Sequence, residues 1–255
     1  MGVGTMKSGT TWWWTLLTGH PAIVSPREAQ AAAQPRSHDP RTQQRQIYRA
    51  KEIDFFNHFG AVEDINPADY HRYFPRPDHT IAGEWTPRYI YDWWTPPMLK
   101  AVAAQAKLLV LLRDPLERLA SALGFHRALS PHQHPATAIN HQFHHALYGQ
   151  QLHRLQDSFP REQILVLQYE QCVADPQGQA RRTFEFLGVE PEAWQPDLAA
   201  RRQVGPSFPK PELNQATREA FCRAIAPDIT QLLRDFPEID TTLWPSIDHL
   251  PLRCC

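Results

Sequence analysis

The sequence predicts an α/β protein in which a central, mostly parallel sheet carries helices on both faces. Two observations lead to this fold class. The segment at residues 1–4 runs through a glycine-containing turn into an apolar stretch that ends at Gly19, which is the pattern of a strand, a loop and a helix. Five consecutive apolar residues at 108–112 predict a second strand, buried on both sides, and Pro115 suits the first turn of a following helix.

Length and composition favour one domain over residues 1–255. The chain is 42% hydrophobic and contains 8 Trp and 12 Phe, which is enough for a single buried core. Its net charge of −1 provides no general attraction for nucleic acid, so an anion site must be local. No segment has the charged and then apolar pattern of a signal peptide, and no apolar run approaches the roughly 18 residues of a membrane span. We therefore expect a cytoplasmic protein without nucleic-acid partners or stable membrane insertion, and a homodimer stays open.

Two further features bear on organisation. Residues 29–45 are rich in Gln, Ala, Pro and Arg, and they predict a flexible insertion that could act as a lid. The spacing of the four cysteines matches neither a zinc ribbon nor a small disulfide framework, so we expect free thiols. These cysteines are Cys172, Cys222, Cys254 and Cys255.

The loop after the first strand predicts an anion site. A glycine-containing loop at a helix N-terminus presents unpaired backbone N–H groups and the positive end of the helix dipole. Gly4 and Gly9 have the spacing of a nucleoside-triphosphatase loop, but Thr10 follows where that motif requires lysine, and the lysine stands at Lys7. No second segment clearly offers a strand-end aspartate for Mg²⁺. A P-loop kinase is therefore the less favoured alternative.

Two segments carry a family resemblance. Lys7-Ser-Gly-Thr-Thr-Trp12 resembles the 5′-phosphosulfate loop of the sulfotransferases that use 3′-phosphoadenosine 5′-phosphosulfate (PAPS). The stretch Lys107-Leu-Leu-Val-Leu-Leu-Arg113-Asp-Pro-Leu-Glu-Arg-Leu-Ala-Ser121 is similar to the family's second signature, a strand that ends in arginine before a helix that carries serine. The similarity continues through residues 159–170 and 184–188. It implies PAPS as cosubstrate, adenosine 3′,5′-bisphosphate as product, and no metal.

The resemblance also implies roles for individual residues. Lys7 would neutralise charge on the departing phosphate, Arg113 and Ser121 would bind the 3′-phosphate, and Ser121 with Ser8 would hold Lys7 back until an acceptor arrives. Tyr169 would lie near the nucleotide. The predicted cofactor-binding residues are Lys7, Ser8, Gly9, Thr10, Thr11, Trp12, Arg113, Ser121 and Tyr169.

Some alternatives follow from the residue types alone. Arg113 could instead be an ion-pair partner of Asp114 or Glu117, and Tyr169 could simply pack at a strand end. Trp12 is expected on the adenine side, but three consecutive tryptophans at 12–14 cannot all face one ligand. At least one of them is therefore expected in the core.

A third set of segments resembles the glycan branch of the family, which includes the heparan sulfate sulfotransferases. It comprises Lys51-Glu-Ile-Asp-Phe-Phe56 and the stretches at 70–75 and 83–89. In that branch the glutamate before the double phenylalanine is the general base, which implies this role for Glu52. The residue type alone also allows a solvated carboxylate. Asp54 replaces a frequent histidine and Trp85 replaces a frequent lysine, so we expect acceptor handling to differ.

The predicted reaction is in-line transfer of a sulfuryl group to a hydroxyl or amine of a glycan or small-molecule acceptor, with Lys7, Glu52 and Ser121 as the catalytic residues. The alternative from another class is a catalytically inactive nucleotide-binding regulator with the same fold.

Two weaker features complete the sequence reading. His141, His144 and His145 have helical spacing that could seat a metal, but we expect a polar helix face over the acceptor cleft. Arg201-Arg202, with Lys210 beyond, lies where relatives place a loop over the nucleotide.

Overall fold

The fold is described from a computed structural model at residues 1–26, 51–59, 64–74, 78–130, 132, 134–194 and 208–247. The insertion predicted at 29–45, the pair Arg201-Arg202 and the terminal cysteines lie outside the described residues. The strands are β1 (Gly2–Gly4), β2 (Ile23–Val24), β3 (Ile81–Ala82), β4 (Leu108–Leu112) and β5 (Ile164–Gln168). The helices are α1 (Thr10–Leu17), α2 (Phe55–Phe59), α3 (Pro67–His71), α4 (Thr95–Val102), α5 (Pro115–Leu129), α6 (Pro135–His144), α7 (Tyr148–Gln156), α8 (Tyr169–Ala174), α9 (Pro176–Leu187) and α10 (Gln215–Asp235).

The central sheet is parallel, as the sequence predicts. β4 lies in the middle and pairs with β1 on one side and β5 on the other. On the outer side of β1, Gly2 forms a further parallel bridge to Trp85. β2 and β3 form a separate two-stranded parallel pair. Parallel neighbours need crossover connections, and the helices between β4 and β5 provide one.

The two faces of the sheet bury different clusters of apolar side chains. Leu108, Val110 and Leu112 of β4 belong to the larger cluster, which includes residues of α4 to α7 and α10. Leu109 and Leu111 belong to the smaller cluster, together with α1 and α9. Successive residues of a strand point to opposite faces, so five consecutive apolar residues serve two cores at once. The prediction of helices on both faces is confirmed.

The carboxyl ends of the three central strands open onto one edge of the sheet. β1 leads into the loop at residues 5–9, β4 ends directly before Arg113, and β5 ends directly before Tyr169. Pro115 occupies the first turn of α5, as predicted, and the side chain of Asp114 caps that helix by accepting from two backbone N–H groups. Ligands of open α/β sheets bind at this edge.

Two further expectations can be compared with the structure. Cys172 and Cys222 are free and buried, as predicted. Within the ranges given above, no helix combines the length and apolar character needed to cross a membrane.

Candidate active site

The loop at residues 5–9 is held to the sheet by its own hydroxyl groups. Thr5 Oγ1 donates to the carbonyl of Leu111 at 3.0 Å and shares a hydrogen bond of 2.5 Å with Ser8 Oγ. Both side chains are buried. Ser8 therefore stabilises the loop through its side chain, and its hydroxyl does not contact the amino group of Lys7.

Helix α1 begins without a side-chain cap. Gly9 occupies the N-cap position with a left-handed φ of 88°. The N–H of Trp13 is the first to bond within the helix, to the carbonyl of Gly9 at 3.1 Å. The N–H groups of residues 10–12 precede it and have no acceptor in their own helix. Together with the helix dipole they form a site suited to an anion.

The side chain of Lys7 lies against α5. Its Nζ is 4.3 Å from the centroid of the Phe125 ring, which is one helical turn beyond Ser121. Among the described residues Lys7 makes no hydrogen bond to Ser121. Burial, followed by the charges of Arg113 and Lys51, lowers the pKa of Lys7 to about 8. The loop therefore has a cation whose charge is costly until an anion binds beside it.

Tyr169 joins the two segments that carry the family resemblance. The guanidinium carbon of Arg113 lies 4.9 Å from the centroid of the Tyr169 ring, and Arg113 Nη1 donates to the carbonyl of Lys7 at 3.3 Å. A Cβ atom at Gly9 would lie 2.7 Å from the same ring. The structure thus brings Lys7, Gly9, Arg113 and Tyr169 together at the carboxyl edge of the sheet.

Arg113 also forms the ion pair that its residue type allows. Its Nη2 lies 3.4 Å from Glu117 Oε2, and Lys210 Nζ lies 2.6 Å from the same oxygen. The hydrogen bond from Lys210 is the main cause of the lowered pKa of Glu117. Because the Glu117 side chain is 52% exposed, its pair with Arg113 is weak. This pairing does not prevent Arg113 from binding a phosphate.

All three tryptophans of α1 are core residues. Trp12, Trp13 and Trp14 are 5%, 0% and 9% exposed. The expectation that at least one lies in the core is confirmed. Trp12 packs edge-on against Tyr169, with ring centroids 6.0 Å apart, so its ring has little free surface for an adenine.

A buried lysine, Lys51, connects Glu52 to Thr10, the first residue of α1. The role of this lysine was not predicted from the sequence. Lys51 Nζ lies 2.8 Å from Glu52 Oε1 and donates to Thr10 Oγ1 at 3.0 Å. The Lys51 side chain is 1% exposed and that of Glu52 is 15% exposed. Burial raises the pKa of Glu52, whereas the positive charge of Lys51 lowers it. Glu52 is therefore a mostly buried carboxylate held beside the anion site.

Two neighbouring residues in the segment at 83–89 are fully buried. Trp85 belongs to the core, and its Nε1 donates to the carbonyl of Gly4 at 3.1 Å. The indole of Trp85, which stands at the position of the lysine named above, therefore packs in the core and does not line the cleft. Glu84 is a second buried carboxylate, which the sequence analysis also missed.

The histidines form a polar network. Gln142 Oε1 accepts from the fully buried Arg118 at 2.9 Å, and Gln142 Nε2 contacts a ring nitrogen of His126 at 2.9 Å and of His141 at 3.2 Å. The ring of His145 stacks on Tyr91 with centroids 3.9 Å apart. In the described part of the chain, no group of His, Cys, Asp and Glu side chains is arranged to hold a metal ion.

Comparison with known proteins gives a consistent result. The model of the sulfotransferase family matches residues 1–196. The chain is 32% identical over 124 residues to the membrane-associated sulfotransferase kil1 of Dictyostelium discoideum, and this match covers 48% of the chain and 22% of the relative. It is 28% identical over 149 residues to heparan sulfate glucosamine 3-O-sulfotransferase 6 of Mus musculus, covering 52% of the chain and 42% of the relative. The chain thus spans less than half the length of these curated relatives.

Solved structures show the same fold. A sulfotransferase from Alicyclobacillus acidocaldarius superposes with a TM-score of 0.65 at 22% identity, covering 95% of this chain and 96% of that one. The sulfotransferase domain of the Synechococcus PCC 7002 olefin synthase superposes with a TM-score of 0.51 at 17% identity, covering 88% and 93%.

Proposed function

The chain belongs to the sulfotransferase family, and from that premise we propose that it transfers a sulfuryl group from PAPS to a hydroxyl or amine of a glycan or small-molecule acceptor. The acceptor oxygen or nitrogen forms a bond to sulfur while the bond from sulfur to the phosphate oxygen breaks. Adenosine 3′,5′-bisphosphate leaves, and the acceptor loses its proton. The similarity to heparan sulfate sulfotransferases favours a glycan acceptor.

The residues at the carboxyl edge of the sheet fit an anionic nucleotide. The N–H groups of residues 10–12, which have no acceptor within α1, and the amino group of Lys7 would hold the phosphosulfate end. Arg113 would hold the 3′-phosphate, because its planar guanidinium matches phosphate oxygens. PAPS supplies the sulfuryl group together with a phosphate that can leave. Lys7 stabilises negative charge where it develops, and binding of an anion there favours the protonated lysine.

Glu52 is the proposed general base. Burial raises its pKa, which makes it a better proton acceptor than an exposed carboxylate, and Lys51 opposes that rise and holds the carboxylate in place. The observation that carries the proposal is the chain of contacts from Thr10 through Lys51 to Glu52. These contacts hold the Glu52 carboxylate near the N-terminus of α1, where the leaving phosphate binds in this proposal.

The first test is calorimetric titration of the protein with adenosine 3′,5′-bisphosphate in the presence of EDTA. We expect micromolar binding, weakened about 10- to 100-fold in the Arg113→Ala variant because a charge-assisted hydrogen bond is lost. The control is Arg223→Ala, since Arg223 lies on α10 and pairs with Glu219. A folded protein that does not bind the nucleotide would contradict the proposal.

The second test measures transfer. The protein is incubated with sulfur-labelled PAPS and a panel of acceptors: heparan sulfate, simple sugars, phenols and amines. Lys7→Ala and Glu52→Gln should each lower turnover at least 100-fold while leaving the fold intact. Nucleotide binding without transfer to any acceptor would instead favour a non-catalytic regulator.

A further inference from the structure

The buried carboxylate of Glu84 accepts four hydrogen bonds. It is 0% exposed. Oε1 accepts from the hydroxyls of Tyr70 at 2.9 Å and Tyr89 at 3.0 Å. Oε2 accepts from the hydroxyl of Thr86 at 2.6 Å and from the N–H of Ile53 at 3.0 Å. A buried carboxyl group is tolerated only when its oxygen atoms are hydrogen-bonded in this way, and the partners of Glu84 lie on three separate segments.

The same group of side chains holds three consecutive backbone N–H groups. The N–H of Ile53 donates to the carboxylate directly. The N–H of Asp54 donates to Thr86 Oγ1 at 3.3 Å, and the N–H of Phe55 donates to the Tyr89 hydroxyl at 3.0 Å. Each of these hydroxyls accepts from the backbone and donates to the carboxylate. The backbone from 53 to 55 is therefore held by Glu84 and by two hydroxyl groups that donate to it.

This stretch needs such support because no sheet or helix provides it. Residues 52–54 lie outside regular secondary structure, and α2 begins at Phe55. Asp54 has a left-handed φ of 56°. Backbone N–H groups away from water require acceptors, and here side chains supply them. The path of the chain directly after Glu52 consequently depends on Glu84 and on the hydroxyl groups of Thr86 and Tyr89.

We propose that Glu84 is a positioning residue for the reaction, which fixes the backbone that carries the Glu52 carboxylate. This inference rests on the proposed function, in which Glu52 is the base. A displacement of the order of 1 Å at a reacting group can cost about 100-fold in rate. Glu84 acts through Glu52 and has no direct part in the chemistry.

Tyr70 and Tyr89 provide a matched pair for the test. Both are buried, both pack against the ring of Phe56, with centroids 4.9 Å and 5.2 Å away, and both donate to the same oxygen of Glu84. Only the Tyr89 hydroxyl also accepts a backbone N–H. Replacing either tyrosine by phenylalanine removes one donor from Glu84, but only Tyr89→Phe releases residue 55.

The first arm measures amide hydrogen exchange residue by residue. In Tyr89→Phe, the amide of Phe55 should exchange roughly three- to tenfold faster than in Tyr70→Phe, the factor that corresponds to one net hydrogen bond. This arm needs no acceptor and no turnover. Equal exchange at Phe55 in the two variants would overturn the proposal.

The second arm measures transfer from PAPS to heparan sulfate. In Tyr89→Phe, kcat should fall about tenfold or more relative to Tyr70→Phe, with unchanged affinity for adenosine 3′,5′-bisphosphate. In a Glu52→Gln background, Tyr89→Phe should cause no further loss, because the positioned group is already gone. Losses that multiply independently would show that the contact between Tyr89 and Glu84 does not act through Glu52, which would overturn the proposal. Absence of transfer by the unmodified protein would instead contradict the proposed function with this acceptor.

Discussion

Removal of the Lys51 amino group tests the electrostatics of the site most directly. Lys51→Met keeps a long unbranched side chain but leaves Glu52 without its partner at 2.8 Å. Breaking a buried ion pair by removing one partner costs about 3–5 kcal/mol. Because the Glu52 side chain is 15% exposed and can take up a proton, we expect a somewhat smaller loss of unfolding free energy, about 2–4 kcal/mol at pH 7.

The direction of the pH dependence follows from the pKa of Glu52. Burial raises this pKa, and Lys51 opposes the rise. In Lys51→Met the opposing charge is gone, so the folded state binds a proton more tightly than the unfolded state does. The contribution of Glu52 to the stability of the variant is then greatest at low pH and is lost as pH rises through the raised pKa. The destabilisation relative to the unmodified protein should therefore be smaller at pH 5 than at pH 7.

The assay is urea unfolding followed by tryptophan fluorescence at both pH values. Glu52→Gln and the double variant complete a mutant cycle, and we expect a coupling energy of at least about 1 kcal/mol at pH 7. The double variant should recover part of the stability lost in Lys51→Met, since no buried charge is left unpaired. A loss that is equal at pH 5 and pH 7, or a coupling energy near zero, would refute the electrostatic reasoning.

Three further predictions concern the loop and the core. Affinity for adenosine 3′,5′-bisphosphate should fall by up to about tenfold per pH unit above a pH of about 8, because Lys7 in the free protein loses its proton there. Calorimetry at pH 7, 8 and 9 checks this prediction. The affinity of the Lys7→Ala variant should not change with pH in this way. Gly9→Ala should lower the free energy of unfolding by about 1–3 kcal/mol, because φ is 88° and the new Cβ would lie 2.7 Å from the Tyr169 ring. The control in urea unfolding is Gly83→Ala, since a Cβ at residue 83 has no atom within 4 Å. Trp85→Lys should lower the free energy of unfolding by about 3 kcal/mol or more, because it leaves a cavity in the core and buries a charge. An unchanged midpoint of urea unfolding would contradict this prediction.

Several features of the site follow from local sequence. The five apolar residues of β4 predict a strand buried on both faces, and Pro115 predicts the start of α5. Gly9 predicts the loop that precedes α1. The family resemblance assigned Lys7, Arg113 and Tyr169 to one nucleotide site, and all three follow strands whose carboxyl ends lie at one edge of the sheet.

Other features depend on tertiary structure. Lys51 and Thr10 are 41 residues apart in the chain, and Ile53 and Glu84 are 31 apart. The same lysine or glutamate on the surface would be solvated, so no local pattern distinguishes a buried charge from an exposed one.

The sequence by itself determined β1, β4 and the anion-binding loop, because these depend on short-range periodicity and on glycine and proline geometry. Only the tertiary structure decided which charges are buried and what they contact. It also placed Trp85 in the core, where Gly2 lacks a Cβ that would lie 1.9 Å from the indole. The burial and pairing of a charged side chain depend on contacts between segments that are distant in the sequence. The interaction energies of these charges are therefore set only when the chain folds.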